Sequence, residues 1–370
     1  MLKKALLFIF CIMFLQACTE TEKSPEVPPD DISEQHTSTN ETDITNLEVN
    51  IPSIHLERNK FHSVIGWLSD EEILLILVDK GEWILKSYSV TKEEWKEIYR
   101  TKTPVIQGMI HQSKEMIILH TSNNSSSAEV QLIHMNGVVE QSLYFESAEL
   151  YMDWHPTDPN LIAFTAFYED WSYNSVVYNG HTQEMEAIDV ENPFVKWLDS
   201  ENLMVFDWSE TSLDGSNLKQ YSIADHSIKA TEWSNIIDVQ NLGDSLVYIQ
   251  IDEENMQFKY HLVNKSSGKS FDWVSPAVSN YSEWVIPTIS IISPNSFIAF
   301  QAKEKGNKDE TNEKSTIGMY SIEGEKQYGE IIERPIDCSP NGMICLGGYE
   351  KEQWINLNTL KEGKWLNILE

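Results

Sequence analysis

Serines stand three residues before a lysine in, among others, Ser89-Val90-Thr91-Lys92 and Ser266-Ser267-Gly268-Lys269. At a helix start that spacing lets the amine take the hydroxyl proton and make a nucleophile. Here both quartets fall in polar hairpins built from good turn residues, so they read as turns. No Gly-x-Ser-x-Gly elbow, His-Glu-x-x-His pair, phosphate-binding glycine loop or EF-hand loop occurs. The ten histidines are scattered without ligand spacing, and His155, before Pro156, reads as a turn residue. No catalytic residue, metal ligand or cofactor is assigned. A better grouping is Tyr168, Asp170, Trp171 and Tyr173, with Trp208 further along. Aromatic planes beside carboxylates can stack on a sugar or hold a cationic or peptide ligand. The same rings could equally fold back as packing. Five carboxylates, Asp70, Asp153, Asp199, Asp238 and Asp337, recur beside short apolar runs. Converging on one point at about 2.3–2.6 Å, their oxygens would make a calcium site.

The N-terminus carries a different chemistry. Lys3 and Lys4 precede an apolar run, Ala5 to Leu15, that ends in Leu15-Gln16-Ala17-Cys18. The run is too short to span a bilayer, which takes about 20 residues, and has the layout of an export signal. Its ending resembles the lipobox of bacterial lipoproteins, in which the cysteine thiol is diacylglycerylated and becomes the new N-terminus. The expectation is a signal peptide over 1–17, a lipid anchor at Cys18 and a place on the outer face of the cell membrane. Residues 18–50 follow as a spacer. They hold nine acids, one lysine and no aromatic residue, too little apolar surface to order a chain.

Charge narrows the partners. The formal net charge is −31, from 58 acidic and 27 basic residues, and Arg58, Arg100 and Arg334 are the only arginines. Nucleic-acid binding needs a dense basic patch, and none is present. Of the four cysteines, only Cys338 and Cys345 belong to the remaining chain. They flank Ser339-Pro340-Asn341-Gly342, a strong turn, so both sit on one hairpin. A disulfide is geometrically possible in an exported protein, but two buried thiols are the preferred reading.

From residue 51 the chain is a succession of short alternating runs and turns, with no helical stripe. At a period of about 43 residues like elements come into register. Inner-strand starts include Val64-Ile65-Gly66-Trp67, Tyr151-Met152-Asp153-Trp154, Val195-Lys196-Trp197 and Pro335-Ile336-Asp337-Cys338. Second strands are expected at 73–78, 116–120, 161–165, 203–207, 246–251, 297–301 and 343–346. Tyr88 to Trp95, Val263 to Trp273 and Leu357 to Trp365 repeat a polar hairpin leading to an aromatic. Seven four-stranded units fit, and none can bury both faces alone. The fold class is therefore all-β, a β-propeller over 51–370 with seven blades, or six as an alternative. Long second-to-third-strand loops at 122–128, 167–174, 208–217 and 303–315 would rise on one face of the disc.

The lipobox, the acidic spacer and blade starts such as Trp67-Leu68-Ser69-Asp70, Trp154-His155-Pro156 and Trp197-Leu198-Asp199 together resemble the YqgU-like β-propeller lipoproteins of Bacillus-type bacteria. The resemblance implies architecture and address. It also implies six blades, against seven counted here. The unit in question is the last, 335–369, which could close the ring by pairing with residues 51–58. The functional expectation is a monomeric, membrane-anchored propeller that binds a protein, peptide or cell-wall saccharide without catalysis. The alternative is a calcium-assisted propeller enzyme acting on an extracellular carbohydrate or lactone.

Overall fold

Strands such as Met116–Thr121 and Leu161–Phe167 are buried along their whole length, so both of their faces must be covered. Outer strands such as Glu184–Ile188 are exposed except at one end. This gradient from apolar inner strands to polar outer ones is what a radial array of upright sheets produces. The computed structural model describes residues 51–207, 213–280, 282–308 and 314–370. Cys18, the signal over 1–17, the spacer over 18–50 and Trp208 lie outside the described residues, as do parts of the 208–217 and 303–315 loops.

Seven antiparallel sheets, each of four strands in sequential order, follow one another along the chain. Blade 1 is Phe61–Trp67, Glu72–Asp79, Glu82–Ser89 and Glu94–Thr101, and blade 7 is Ile336–Cys338, Ile344–Gly347, Gln353–Asn356 and Lys361–Lys364. Inner strands of blades 2 to 6 are Val105–Ile110, Glu149–Trp154, Lys196–Trp197, Ile236–Asn241 and Ile289–Ser293. Each of the seven units counted in the sequence is a blade, and their second strands fall where the apolar runs lie. Separate apolar cores fill the space between neighbours. Leu74, Ile76, Ile117 and Leu119 join blades 1 and 2, for example, and Ile298, Phe300, Cys345 and Ile355 join blades 6 and 7.

The ring closes between blades 7 and 1 without exchanging a strand. Ile73, Leu75 and Tyr88 of blade 1 pack with Ile344, Leu346 and Trp354 of blade 7, and with Trp365 and Leu366 beyond it. Over this seam Ile54–Glu57 pairs in parallel with Leu366–Leu369, the pairing expected of residues 51–58. The Trp67 indole donates to the Asp337 carbonyl at 3.1 Å, and Asn341 N donates to Asp70 Oδ1 at 2.8 Å. Gly66 makes this approach possible. It lies at a strand irregularity with φ +152°, and a Cβ there would sit 2.2 Å from the Asp337 carboxylate.

One expectation is corrected. Cys338 and Cys345 are joined as a disulfide, where two thiols were preferred. The hairpin register sets the two residues directly opposite each other, so their side chains share one face of the blade.

The seam should dominate stability. Trp365 is fully buried, its indole donates to Lys351 O at 2.7 Å, and its carbonyl accepts from Ile54 N at 2.6 Å. Trp365→Ala is expected to cost about 3–5 kcal/mol in urea unfolding. Trp95→Ala, on an outer strand and partly exposed, should cost less than half as much. Equal costs would remove the seam's special standing.

Candidate functional site

The loop between the second and third strands of blade 3 is a short, locked turn. Tyr168 N donates to Ser172 O at 2.9 Å, and Trp171 N donates to Tyr168 O at 3.0 Å. Ser172 gives its backbone N–H (3.0 Å) and its hydroxyl (2.5 Å) to Asp170 Oδ1. These bonds hold the Asp170 carboxyl below its ordinary range. Trp171 takes the left-handed backbone at φ +66°, a conformation that is costly for a bulky residue. Its ring is 77% exposed and Tyr168 is 38% exposed, so Trp171 does not fold back as packing.

The five residues therefore divide. Trp171 and Tyr168 present their rings to solvent. Asp170 shapes the turn. Tyr173 is tied down, its one hydroxyl proton shared between Glu191 O at 2.8 Å and Val190 O at 3.0 Å. Trp208 lies outside the described residues.

Phe194, which sequence reasoning passed over, extends this surface. It is 42% exposed, 5.3 Å and edge-on to Tyr151 and 5.7 Å from Phe167, whose ring is 6.0 Å from Tyr173. An aromatic shelf thus runs from the rim loop to Tyr151 on the inner strand. Buried Asn192 holds the connector by accepting from Phe194 N at 2.8 Å. Asn192-Pro193-Phe194, a polar turn ending in an aromatic, was the signal available.

Lower in the channel, Asp153, Lys196 and Asp238 stand on the inner strands of blades 3, 4 and 5. Lys196 Nζ donates to Val239 O at 2.8 Å and meets Asp238 Oδ1 at 3.4 Å. Asp153 Oδ2 accepts from Trp197 N at 2.8 Å. Loss of water around the buried group raises the Asp153 carboxyl from 3.8 to about 6, against the pull of that bond and of Lys196. Tyr151, whose hydroxyl donates to Val195 O at 3.1 Å, is pushed well above its ordinary value by burial. A cavity of about 220 Å³ reaches Asp153, Lys196 and Gln240. It meets a second, of about 340 Å³, at Ile110, Gln112, Pro156 and Ile291.

The five carboxylates do not converge. Asp337 pairs with Lys351 Nζ at 2.7 Å, Asp70 accepts from Asn341, and Asp199 Oδ1 accepts from Glu201 N and Asn202 Nδ2 at 2.9 and 2.8 Å. Among the described residues no three His, Cys, Asp or Glu side chains gather where a metal could sit. His155 serves its turn, Nδ1 accepting from Asp158 N at 3.0 Å, and burial lowers it to about 4. Ser89 and Ser266 serve theirs. Ser89 Oγ accepts from Lys92 N at 3.3 Å, and Ser266 Oγ donates to Asn264 Oδ1 at 3.0 Å.

Comparison with known proteins follows the fold. The model of a family described as a YqgU-like 6-bladed beta propeller domain matches residues 89–348. That stretch contains blades 2 to 6 whole and only parts of blades 1 and 7. The uncharacterized lipoprotein YqgU of Bacillus subtilis (strain 168) is 23% identical over 317 residues, 83% of this chain and 84% of that protein. The crystal structure of the uncharacterized protein lmo1340 from Listeria monocytogenes superposes with a TM-score of 0.77 at 18% identity, over 86% of this chain and 98% of that one. Oligogalacturonate lyase from Vibrio parahaemolyticus gives 0.53 at 10% identity, over 79% and 86%. At those identities the likeness is one of fold.

The Asp153 carboxyl yields a pH test. Between about pH 4 and 6 the folded protein holds a proton that the unfolded chain releases, so this group's contribution falls as pH rises through that window. Buried His111, His120 and His155, all lowered, act in the opposite sense. Asp153→Asn should therefore raise stability at pH 7.5 by on the order of 1–2 kcal/mol and leave it unchanged at pH 4. Thermal unfolding at both values reads the difference, and an equal change at both would contradict it.

Proposed function

This chain belongs to the YqgU-like β-propeller family, and we propose that it is a lipid-anchored extracytoplasmic protein whose propeller binds a protein, peptide or cell-wall saccharide without catalysis. The signal over 1–17 directs export, Cys18 carries the lipid, and 18–50 serves as the spacer to the propeller over 51–370. Similarity to a protein described as a lipoprotein supports the anchor. Among the described residues no helix is long and apolar enough to cross a membrane. Two buried acyl chains suffice for stable attachment.

The observation that carries the binding role is Trp171. A tryptophan 77% exposed, on a left-handed turn fixed by four hydrogen bonds, gains nothing from packing. Rigid exposed aromatics are the residues from which binding hot spots are made. Glu169 and Asp170 precede it in the same turn and suit a ligand that is cationic or rich in hydroxyls. The calcium-assisted enzyme acting on an extracellular carbohydrate or lactone draws no support from the five dispersed carboxylates.

Cys18→Ser should move the protein from the membrane fraction to the medium. Tyr168→Ala with Trp171→Ala should leave the melting temperature within a degree or two and abolish cross-linking to surface neighbours on intact cells. Undiminished cross-linking by the folded double variant would overturn the rim as the binding surface. Membrane retention of Cys18→Ser would overturn the anchor.

A further inference from the structure

Among the described residues is a cavity that packing does not explain. It lies between blades 2 and 3, on the face that carries the Tyr168–Trp171 loop, and measures about 320 Å³. His120 forms part of its wall. On the second strand of blade 2, Met116 and Ile118 point into the apolar core shared with blade 3, and His120 continues the same row. Its ring is 6% exposed, and Nδ1 has no hydrogen-bond partner. An unpartnered buried nitrogen costs about 1–3 kcal/mol, so a leucine would serve stability better.

Blade 3 shows how such a site is normally closed. Thr165 occupies the corresponding position, and its hydroxyl donates to Pro193 O at 2.7 Å and pairs with Ser175 at 2.8 Å. Pro193 belongs to the long connector between Ile188 and Lys196. The connector between blades 2 and 3 runs only from Glu146 to Glu149 and, unlike Pro193 for Thr165, gives the His120 Nδ1 no partner. Ser147 and Ala148 of this short connector form the cavity wall together with His120.

Its chemistry is specific. No lysine or arginine lines it, and burial lowers His120, so the site holds no cation for a phosphate or carboxylate. Donors remain in the Ser125 hydroxyl and the Asn124 amide, whose oxygen alone is used by the loop, accepting from Ser126 N at 2.9 Å. Glu149 and a ring nitrogen of His120 supply acceptors. Ile106, Ala128 and Leu150 supply apolar contact. Alternating donors and acceptors beside an apolar wall match a pyranose, whose hydroxyls do both while its C–H face packs. The volume is at the small end of ligand sites, about 300–1,000 Å³, and suits one ring. The cavity also adjoins the rim. Ala148 N donates to Phe167 O at 2.8 Å, one residue before Tyr168.

We propose that the His120 cavity is a subsite for one uncharged sugar ring of a glycan whose neighbouring ring stacks on Tyr168 and Trp171. This rests on the binding reading above and narrows the partner to a saccharide.

The test titrates the full extracytoplasmic chain with maltotriose, cellotriose and tri-N-acetylchitotriose by calorimetry, with trigalacturonate as the acidic comparison. At least one neutral trisaccharide should bind and shift the His120 imidazole resonances, and trigalacturonate should not. His120→Phe keeps volume and burial while removing the nitrogens. It should unfold at an equal or higher urea concentration and bind the sugar at least ten-fold more weakly. Ser125→Trp, which fills the cavity from an exposed position, should block binding if His120→Phe fails to fold. Unaltered sugar binding by these variants overturns the subsite. Failure of all three neutral sugars to bind, or equal binding of trigalacturonate, also overturns it. Loss of surface cross-linking in the Tyr168, Trp171 double variant but not in His120→Phe would leave the rim reading standing alone.

Discussion

Closure between blades 7 and 1 is the constraint on which the molecule depends. A four-stranded blade hides both faces only while it has a neighbour on each side, so an open array would bare the two terminal blades. Here the last blade is built entirely from the C-terminal segment, and among the described residues no strand of one blade joins the sheet of the other across the seam. Packing carries the load instead. Tyr88 and Trp365 stack across the junction with ring centroids 6.4 Å apart, and the parallel pair Ile54–Glu57 with Leu366–Leu369 covers it. Arg58 and Glu350 add an exposed ion pair, which contributes little. Side-chain packing and this strand pair together close the ring.

What was legible in the sequence follows from burial. A strand covered on both sides needs apolar residues throughout, so Met116–Thr121 and Leu161–Phe167 announce themselves as continuous runs. Turn chemistry was only partly legible. The third-to-fourth-strand hairpin of every blade uses a left-handed residue, but glycine fills it only at Gly137, Gly268 and Gly324. Glu93, Gln183, His226 and Leu360 occupy the others, so a glycine pattern marks fewer than half. Trp67 and Trp197 were readable as recurring marks but not as ties. Their indoles donate to carbonyls of Asp337 and Asp153 on the preceding blade, 270 and 44 residues away. Trp171 was visible as a candidate because loops carry its neighbours together. Phe194 and His120 were not, because their meaning lies in the contacts that the connectors between blades do or do not make.

Repetition also converts sequence period into charge pairing. Asp153, Lys196 and Asp238 recur at nearly one repeat apart and so become lateral neighbours on the channel wall. In a chain with a net charge of −31, carboxylates gathered around an axis would repel one another. Lys196 between Asp153 and Asp238, and Lys351 beside Asp337, remove that penalty. Asp153 still rises to about 6, because loss of water around the buried carboxyl outweighs its bond from Trp197 N and the charge of Lys196. The carboxylates are therefore spent on the lining, which is why they do not form a metal cage.

The two faces of the disc are not alike. On the face of the first-to-second-strand turns, blades are stitched to their neighbours. Lys114 donates to Trp67 O, His111 to His155 O, Asn241 to Trp197 O, and Ser245 N to Pro294 O, all within 2.8–2.9 Å. The opposite face has ties of its own, such as Lys351 Nζ to Ile65 O at 2.6 Å and Trp284 Nε1 to Leu213 O at 2.9 Å, and also carries Tyr168, Trp171, Phe194 and the cavity beside His120. The Tyr168–Trp171 turn is held by bonds within itself, so its rings are not what fastens one blade to the next. A binding surface needs that independence, together with a frame that does not deform when a ligand is gripped. Exposed and held by their own turn, the Tyr168 and Trp171 rings are set by the loop and not by the packing of the blades.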